Sequence, residues 1–515
     1  MLRARIEAAA CTGPWAWSAG RWRCGASWVE PFANPAIESF AATDGDETVI
    51  VIREALRGSP AGRTGGSELR DVVDPATAWP ADFHVLRLRP EALTITAGCR
   101  GYAPVYLATA AGVLDVSWDL PDLAGHLTAD DLDTAVLARY LTRQGRYGVR
   151  TLWPAVTLLT ERSTAVFDGS GLRLRLPAPA VHYRARDLVP GADPVGAFDQ
   201  LLAAELGRRA APADTTFVEV SGGLDSANVA VTAARALPGT RSYGLLVGGV
   251  AGDQQRQRRR YLVDLLGLHD VTRDALRCPP FAGRHRTAGE LFDPAAEPYW
   301  ECLDAVVAAA VELGARVVLT GIGGDELMGR QPDEKPAAAP PAPSSLPGWH
   351  LYTRHWRREL GRLAEPEQPV SAAYEPTLAA AAARAPVFLR RGVWPVNPLA
   401  APELVRFCEW LPVGWRSDRC LLRSRLARAG LAPQWSRPAL PENFAHVMAC
   451  GLTQYALPLL PDLMAGSRLA ALGVINPVAV LDAAARYRAG RGTGSGLYEI
   501  VNLELALRGL AKSAT

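Results

Sequence analysis

The sequence predicts an α/β protein whose second part folds around a parallel sheet. A β-rich run at 216–220 ends in a Ser/Gly turn and opens into an Ala-rich segment with helical spacing, which indicates a strand, a tight loop and a helix. Strand-like and helical patterns then alternate as far as residue 320, as they do in parallel α/β sheets. Before about residue 185 short strand-like segments follow one another between turn signals, so a separate, strand-rich region precedes the parallel sheet.

The first part of the chain contains strand-like segments interrupted by one helical segment at 132–141. The strand pattern is found at 47–53, 83–88, 92–97, 104–108 and 171–176. A polar Pro/Gly stretch at 187–194 then has the composition of a linker. We therefore predict two domains, at 1–186 and 195–515.

The second domain begins with an amphipathic helix at about 195–209. The alternating segments that follow are strands at 216–220, 242–247, 269–272 and 316–320 and helices at 253–266 and 299–313. An Ala/Pro run after Gly329 is too proline-rich for a helix or strand, and we expect a loop there that is either a linker or a lid over a nearby site. The rest of the chain is predicted to be mostly helical.

Composition excludes several classes of function. The chain has 515 residues, and its 55 basic and 53 acidic side chains give a net charge of only +2, which argues against nucleic acid as the main partner. The eight cysteines are scattered and have no metal-ligand spacing, so we expect reduced thiols. We find no export signal and no spanning helix, and we expect a cytoplasmic protein without a membrane partner.

The turn after the first strand of the second domain has the features of an anion site. Its glycines let a phosphate approach the backbone, and the first N–H groups of the following helix have no partner within the helix. The motif has no Gly-Lys-Ser/Thr, so it is not a Walker A loop, and it contains a carboxylate where a phosphate lysine would be expected. The predicted phosphate-binding residues are Ser221, Gly222, Gly223, Leu224, Asp225 and Ser226.

A second glycine-rich loop follows the strand at 316–320 and carries the acidic pair Asp325 and Glu326. In an open parallel sheet both loops lie at the carboxyl edge, where ligands bind at a switch in strand order. A carboxylate beside phosphates implies a cation between them, and Mg²⁺ is the expected ion. We therefore predict that the two loops together hold a nucleoside triphosphate and Mg²⁺.

The two motifs, Ser221–Ser226 and Gly321–Glu326, resemble those of the asparagine synthetase superfamily, which includes β-lactam synthetases and lasso peptide cyclases. The resemblance implies an N-terminal glutaminase-like domain of the Ntn type, with an αββα arrangement, and a C-terminal ATP-pyrophosphatase-type synthetase domain with a helical end. It also implies ATP and Mg²⁺ as the bound groups, with Asp225 and Asp325 as metal ligands. The resemblance further assigns the nucleotide to Gly321, Gly323 and Gly324 and the adenine to backbone groups of Leu245, Leu246 and Val247.

The chain departs from the family pattern at two positions. Active glutaminases of the family carry a cysteine at position 2, whereas Leu2 has no nucleophile, so we expect the first domain to release no ammonia. A family lysine that is thought to stabilise the developing charge corresponds to Ala439. Loss of a cation in a dry site costs on the order of a few kcal/mol of transition-state stabilisation, so another cation should replace it. Because guanidinium remains charged and binds phosphate bidentately, the candidates for this catalytic role are Arg419, Arg423 and Arg437.

The predicted chemistry is amide formation through adenylation. The carboxylate attacks the α-phosphorus of ATP, pyrophosphate leaves, and an amine then displaces AMP from the acyl-adenylate. No covalent enzyme intermediate is required.

The resemblance is strongest to lasso peptide cyclases, which implies macrolactam (isopeptide) formation on a precursor peptide, with a leader-binding protein and a protease as partners. Tyr299, Trp300, Trp394 and Trp415 are candidate residues of a peptide cavity. Two alternatives remain open. One is a small-molecule amide or β-lactam synthetase, although we cannot place its general base. The other is a catalytically silent scaffold that binds ATP or a peptide.

Overall fold

The computed structural model describes residues 1–8, 14–58, 76–329, 334, 343–360, 370–440 and 442–513. The strands are labelled β1 to β18 in chain order. They are Leu2–Glu7, Ala16–Ser18, Arg21–Cys24, Ser27–Pro31, Ile37–Asp44, Glu47–Glu54, Phe83–Leu88, Leu93–Ala97, Tyr106–Ala110, Val113–Ser117, Val156–Leu158, Thr164–Phe167, Leu172–Arg175, Thr216–Glu219, Arg241–Leu246, His269–Asp274, Val317–Leu319 and Trp394–Val396.

The α-helices are labelled α1 to α18 in the same way. They are Thr134–Leu141, Pro194–Gly207, Leu224–Ala236, Gly249–Leu266, Arg284–Thr287, Trp300–Glu312, Gly324–Leu327, Arg354–Leu360, Glu375–Arg390, Pro402–Trp410, Val413–Arg416, Cys420–Arg428, Pro433–Ser436, Ala445–Gly451, Leu457–Ala465, Arg468–Ala471, Pro477–Arg488 and Leu497–Ser513. The Ala/Pro run for which a lid was considered lies mostly outside the described residues.

Strands β1 to β13 form two antiparallel sheets. One has the order β11-β9-β10-β1-β4-β3-β2, and the other has the order β13-β12-β8-β7-β6-β5. Buried side chains from both sheets, such as Ile6 and Val29 from one and Ile50 and Leu86 from the other, belong to one hydrophobic core. Leu2 is fully buried in β1, where it pairs with Pro31. The sequence pattern predicted strands such as β6, β7 and β8 but not β1. The alternation of apolar and polar residues in β1 is short and contains two arginines.

The predicted helix at 132–141 starts at Thr134. Asp133 precedes it as the N-cap and accepts hydrogen bonds from the N–H groups of Ala135 and Val136, both at 3.0 Å. This cap fixes the first turn, because it satisfies two of the donors that a helix start leaves unpaired. The helix contacts α18 near the other end of the chain, so it connects the first part of the molecule to the C-terminal helices.

Strands β14 to β18 form a parallel sheet with the order β16-β15-β14-β17-β18. The chain passes from β14 outward to β15 and β16, and then returns to the other side of β14 to form β17 and β18. The strand order therefore reverses at β14, and the loops that follow β14 and β17 lie next to each other at the carboxyl edge. The fold is thus mixed α/β with a parallel sheet, as the sequence predicts. The exact family-type domain arrangement and the boundary at 187–194 stay predictions.

The largest differences from the sequence prediction in this region concern one strand and the start of one helix. The edge strand β18 was not predicted, since a three-residue strand carries too little pattern. Helix α4 begins at Gly249, four residues before its expected start, because two glycines with φ of +69° and +64° turn the chain directly after β15. Helix α6 was expected over 299–313 and is found at Trp300–Glu312.

Hydrogen bonds connect the antiparallel sheets to the edge of the parallel sheet. The Trp394 indole N–H, on β18, donates to Glu54 Oε1 at 2.9 Å, and both side chains are buried. The Asn34 amide donates to the carbonyls of Arg316 and Gly392 at 2.8 and 3.0 Å. One hydrophobic core continues from the antiparallel sheets to β14, β17 and β18, so the two sheet regions are packed directly against each other.

Candidate functional site

The Ser221–Ser226 loop is folded by its own hydroxyl groups. The Ser221 N–H donates to Ser226 Oγ at 3.1 Å, the Gly223 N–H donates to Ser221 Oγ at 3.1 Å, and the two hydroxyl oxygens lie 2.9 Å apart. Gly222 has φ of +91°, a conformation that favours glycine. The sequence predicts that Ser221 and Ser226 bind a phosphate. In this structure their hydroxyl groups form hydrogen bonds within the loop.

Helix α3 begins directly after this loop, and Gly223 is its N-cap. Gly223 has no side chain to accept hydrogen bonds from the first turn, and Leu224 and Asp225 occupy the first helical positions. The N–H groups of that turn and the positive end of a 13-residue helix therefore face the loop. This arrangement favours a bound phosphate.

The second loop, 321–326, packs directly on the first. A Cβ atom at Gly321 would lie 2.8 Å from the Ser226 backbone nitrogen, and one at Gly324 would lie 2.4 Å from Asp225 Cγ. Gly323 has φ of +97° and is the N-cap of the short helix α7. Glycine is therefore required at these positions for the two loops to touch. The structure brings the predicted loops together at one edge of the sheet, while their role in binding a nucleotide stays a prediction.

The two predicted metal ligands share one arginine. Arg419 Nη1 lies 3.3 Å from Asp225 Oδ2, and Arg419 Nη2 forms an ion pair with Asp325 Oδ1. Asp225 Oδ1 is buried and has no hydrogen-bond partner. Burial raises the pKa of Asp225 to about 6; the Arg419 guanidinium opposes this shift, and the Glu326 carboxylate adds to it.

These residues fit a magnesium ion. Mg²⁺ in phosphate sites is bound by one or two carboxylates together with phosphate oxygens and water, and an unpartnered buried carboxylate oxygen at Asp225 is a suitable ligand. The described residues contain no group of three or more His, Cys, Asp or Glu side chains that would hold a metal without a substrate.

The three candidate arginines lie around one turn but have different contacts. Arg423 Nε donates to the Asp418 carbonyl at 2.7 Å, and Arg437 pairs with the Asp418 carboxylate at 2.6 Å. Asp418 and Arg419 both have positive φ, at +51° and +53°, which is a strained conformation for residues with side chains. Arg423 and Arg437 thus hold the turn, while Arg419 reaches the two carboxylates. Ala439 is exposed and follows this region.

The predicted adenine-binding backbone groups are already hydrogen-bonded. Gln255, on α4, accepts from the Val247 N–H at 2.9 Å and donates to the carbonyls of Leu245 at 3.0 Å and Ser221 at 2.6 Å. Leu246 is the last residue of β15 and pairs with Asp274. Gln255 is not predicted from the sequence, because nothing in a polar helix start indicates which side chain turns inward. Its carboxamide connects the phosphate loop to the end of β15.

A cavity of about 170 Å³ opens beside these groups. Ser221 and Leu245 form one side of it, and Tyr299 and Phe444, whose ring centroids lie 4.6 Å apart, form another. Its remaining lining includes Glu219, Glu297 and Arg384, and Arg384 pairs with Glu219 at 3.3 Å and with Glu297 at 3.2 Å. Of the predicted aromatic residues, Tyr299 lines this cavity, whereas Trp300 and Trp394 are buried in the core and Trp415 packs against it.

A further carboxylate lies beside the phosphate loop. A Cβ atom at Gly222 would be 3.1 Å from Glu442 Oε2, so that oxygen lies next to the loop backbone. Glu442 pairs with Arg258 at 2.6 Å, and burial raises the pKa of Glu442. A negative charge at this position opposes the binding of phosphate. Glu442, which is three residues after Ala439, is not among the site residues predicted from the sequence.

Comparisons with known proteins bear on the second part of the chain. Residues 197–391 match the family model of asparagine synthase. A search of curated proteins finds no match. No described helix has both the length and the apolar composition that are needed to cross a membrane.

Similar solved structures include three that share little sequence with this chain. The U34-tRNA thiolase NcsA from Methanococcus maripaludis is 10% identical, with 58% of this chain and 80% of that chain covered and a TM-score of 0.24. NMN synthetase from Francisella tularensis is 18% identical, with 49% and 100% covered and a TM-score of 0.21. Glutamine phosphoribosylpyrophosphate amidotransferase from B. subtilis is 10% identical, with 82% and 84% covered and a TM-score of 0.19.

Because these TM-scores are low, the structural similarities do not carry the assignment. The sequence match does, and it covers β14 to β17, both glycine loops and all of α9. Residues 197–391 of the chain are therefore similar to the asparagine synthase family.

Proposed function

We propose that this protein activates a carboxylate as its acyl-adenylate, releases pyrophosphate, and transfers the acyl group to an amine with release of AMP. The observation that carries the proposal is the direct contact between the two glycine loops, with Asp225 and Asp325 joined by Arg419 at the positive end of α3. This arrangement suits a triphosphate whose β- and γ-phosphates depart together.

Each part of the site has a defined task in this proposal. The Gly223 to Asp225 amide groups at the start of α3 bind phosphate oxygens, and the small cavity beside Ser221 and Leu245 takes the base. Asp225 and Asp325 would hold Mg²⁺, which supplies charge neutralisation at the phosphates. Arg419, which contacts both carboxylates, would supply a guanidinium for the negative charge that develops during transfer.

The nature of the leaving group tests this function. The purified protein is incubated with ATP, Mg²⁺ and candidate carboxylates, and the products are separated by chromatography. We expect AMP and pyrophosphate, together with exchange of labelled pyrophosphate into ATP. Formation of ADP and phosphate would overturn the proposal. Asp225→Asn should abolish the exchange, and Asp253→Asn, which changes an exposed carboxylate on α4, should not.

We further propose that both reacting groups lie on one precursor peptide, so that the product is a macrolactam. The support is the sequence resemblance to lasso peptide cyclases in length and in the loss of the cysteine at position 2. Macrolactam formation would reduce the peptide mass by one water (about 18 Da from its atomic composition), which mass spectrometry detects. A linear amide with a free amine, or a β-lactam product, would favour the small-molecule alternative. A leader-binding protein and a protease are the partners that the peptide hypothesis predicts.

A further inference from the structure

A larger cavity lies where the first part of the chain meets the C-terminal helices. Its volume is about 480 Å³, which is within the usual range for sites that enclose a drug-sized ligand or a short peptide segment. It is formed by α1 and the segment 143–153 on one side, and by the segment 293–298, α9 and α18 on the other. None of the site residues that we predicted from the sequence lines this cavity.

The walls of this cavity are mostly apolar and aromatic. Tyr106, Tyr140, Tyr147, Trp153 and Tyr498 contribute rings, and alanines of α9 leave the space between them open. Aromatic walls of this kind favour apolar side chains, since ring surfaces bury a large area without much loss of side-chain freedom. The cavity therefore suits an apolar ligand.

Two buried polar atoms of the lining have no hydrogen-bond partner. They are the indole Nε1 of Trp153 and the carboxylate Oε2 of Glu499, and the two residues are 1% and 5% exposed. Glu499 is held in place through its other oxygen, which accepts a hydrogen bond from Arg143. One free donor and one free acceptor match the carbonyl and the N–H of a peptide group. Because buried polar groups are nearly always paired, these atoms indicate a bound partner with both functions.

The charged side chains around the cavity are largely paired with one another. Arginines at 139, 143, 146 and 150 line it, whereas its carboxylates are Asp293 and Glu499. The Tyr106 hydroxyl donates to Asp293 at 2.9 Å, and burial raises the pKa of Asp293. Three of these arginines pair with carboxylates, Arg143 with Glu499, Arg146 with Glu375 and Arg150 with Asp133, so the number of arginines in the lining does not set the charge of the ligand.

This cavity and the 170 Å³ cavity share a wall. Pro298 and Ala383 line the larger cavity, while their sequence neighbours Glu297, Tyr299 and Arg384 line the smaller one. A ligand in the larger cavity therefore lies on the other side of one loop and one helix from the candidate nucleotide site.

We infer that the larger cavity binds an apolar peptide segment of the ligase's substrate. The Trp153 N–H donates to a peptide carbonyl, and the Glu499 carboxylate accepts from a peptide N–H. The identification of the peptide as a substrate rests on the proposed function. Binding of the peptide to the cavity can be measured separately from catalysis.

The probe is the peptide acetyl-Leu-Phe-Asp-amide, and the polar control is acetyl-Ser-Ser-Asp-amide. Binding to the full chain is measured by equilibrium dialysis in the absence of nucleotide. We expect the apolar peptide to bind at least tenfold more tightly than the polar one. Equal binding of the two peptides, or no binding of the apolar one, would overturn the inference.

Ala382→Phe fills the cavity, and Ala380→Phe is the matched control, because Ala380 lies on the same helix but does not line the cavity. We expect the first variant to lose at least tenfold in peptide affinity and the second to keep it. Trp153→Phe retains a ring but removes the donor, and it should weaken binding roughly three- to tenfold. Thermal unfolding checks that each variant is folded, and equal affinities for the two alanine variants would contradict the site.

Asp225→Asn separates this inference from the proposed function. The variant should lose binding of ATP with Mg²⁺ and keep the affinity for the peptide. If the wild-type protein binds the peptide in the cavity but never converts ATP to AMP, the proposed function fails and the cavity assignment stands. If AMP forms and the cavity variants bind the peptide normally, the cavity assignment fails alone.

Discussion

Gly324 and Asp225 are in contact across the two glycine loops, so closely that a Cβ atom at position 324 would lie 2.4 Å from Asp225 Cγ. Such a distance is too short for non-bonded carbon atoms, and Asp225 cannot withdraw because it is part of the first turn of α3. The position of the metal ligand thus depends on the absence of a side chain on the facing loop.

The first prediction follows from this contact. Gly324→Ala should push the loops apart and lower stability by about 1–3 kcal/mol, as overpacking generally does. Binding of ATP with Mg²⁺, measured by calorimetry, should fall at least tenfold. Gly207→Ala is the control, since a Cβ atom there meets no neighbour within 4 Å. Full nucleotide affinity in Gly324→Ala would show that the loop contact is not needed.

The second prediction concerns stability and pH. Burial raises the pKa of Asp225 from 3.8 to about 6, so the folded protein without ligand keeps a proton on this carboxyl up to about pH 6, whereas the unfolded chain releases it near pH 3.8. The stability from this group is fully present below the unfolded pKa and is lost as the pH rises through 6. The shift corresponds to about 3 kcal/mol. Urea unfolding between pH 4 and pH 7 should show that Asp225→Asn reduces this decline, and an unchanged pH dependence in the variant would contradict the assignment.

The third prediction concerns the carboxylate beside Gly222. Glu442→Gln removes a negative charge next to the phosphate loop and keeps a hydrogen-bonding partner for Arg258. We expect tighter binding of ATP with Mg²⁺, by about 1 kcal/mol, with a larger effect at low salt. Glu312→Gln, which neutralises an exposed carboxylate at the end of α6, should leave the affinity unchanged. Weaker binding in Glu442→Gln would instead indicate that Glu442 helps to hold the cation.

The fourth prediction separates the candidate arginines. Arg419→Ala should lower the rate of AMP formation on the order of 10²-fold to 10³-fold, because it removes the guanidinium that contacts Asp225 and Asp325. Arg437→Ala should have a much smaller effect, since Arg437 is exposed and pairs with Asp418. Steady-state kinetics with saturating ATP measures both. Equal losses in the two variants would mean that the Asp418 turn acts as a unit.

The sequence predicted those parts of the site that are local. The strand, loop and helix from Thr216 to Ala236 were readable because alternation, glycine and helical spacing occur within one short stretch. The second loop was readable for the same reason. Since a parallel sheet brings such loops to one edge, the juxtaposition of Asp225 and Gly324 also followed from a general rule.

The residues that were missed act over long sequence separations. Gln255 reaches back 34 residues to the Ser221 carbonyl, and its inward orientation depends on the pair of glycines that start α4 early. Glu442 reaches the phosphate loop from a segment more than 200 residues later in the chain. The 480 Å³ cavity combines residues from Tyr106 to Glu499, and no periodic pattern along the chain reports a space between distant elements.

The hydrogen bond from Trp394 to Glu54 limits how this molecule can be shortened. A recombinant fragment that starts at residue 195 would uncover the buried indole, on a strand that forms the edge of the parallel sheet. An uncovered apolar strand edge is a route to aggregation. Expression trials aimed at a minimal ligase should therefore retain the antiparallel sheets, even if these carry no chemistry of their own.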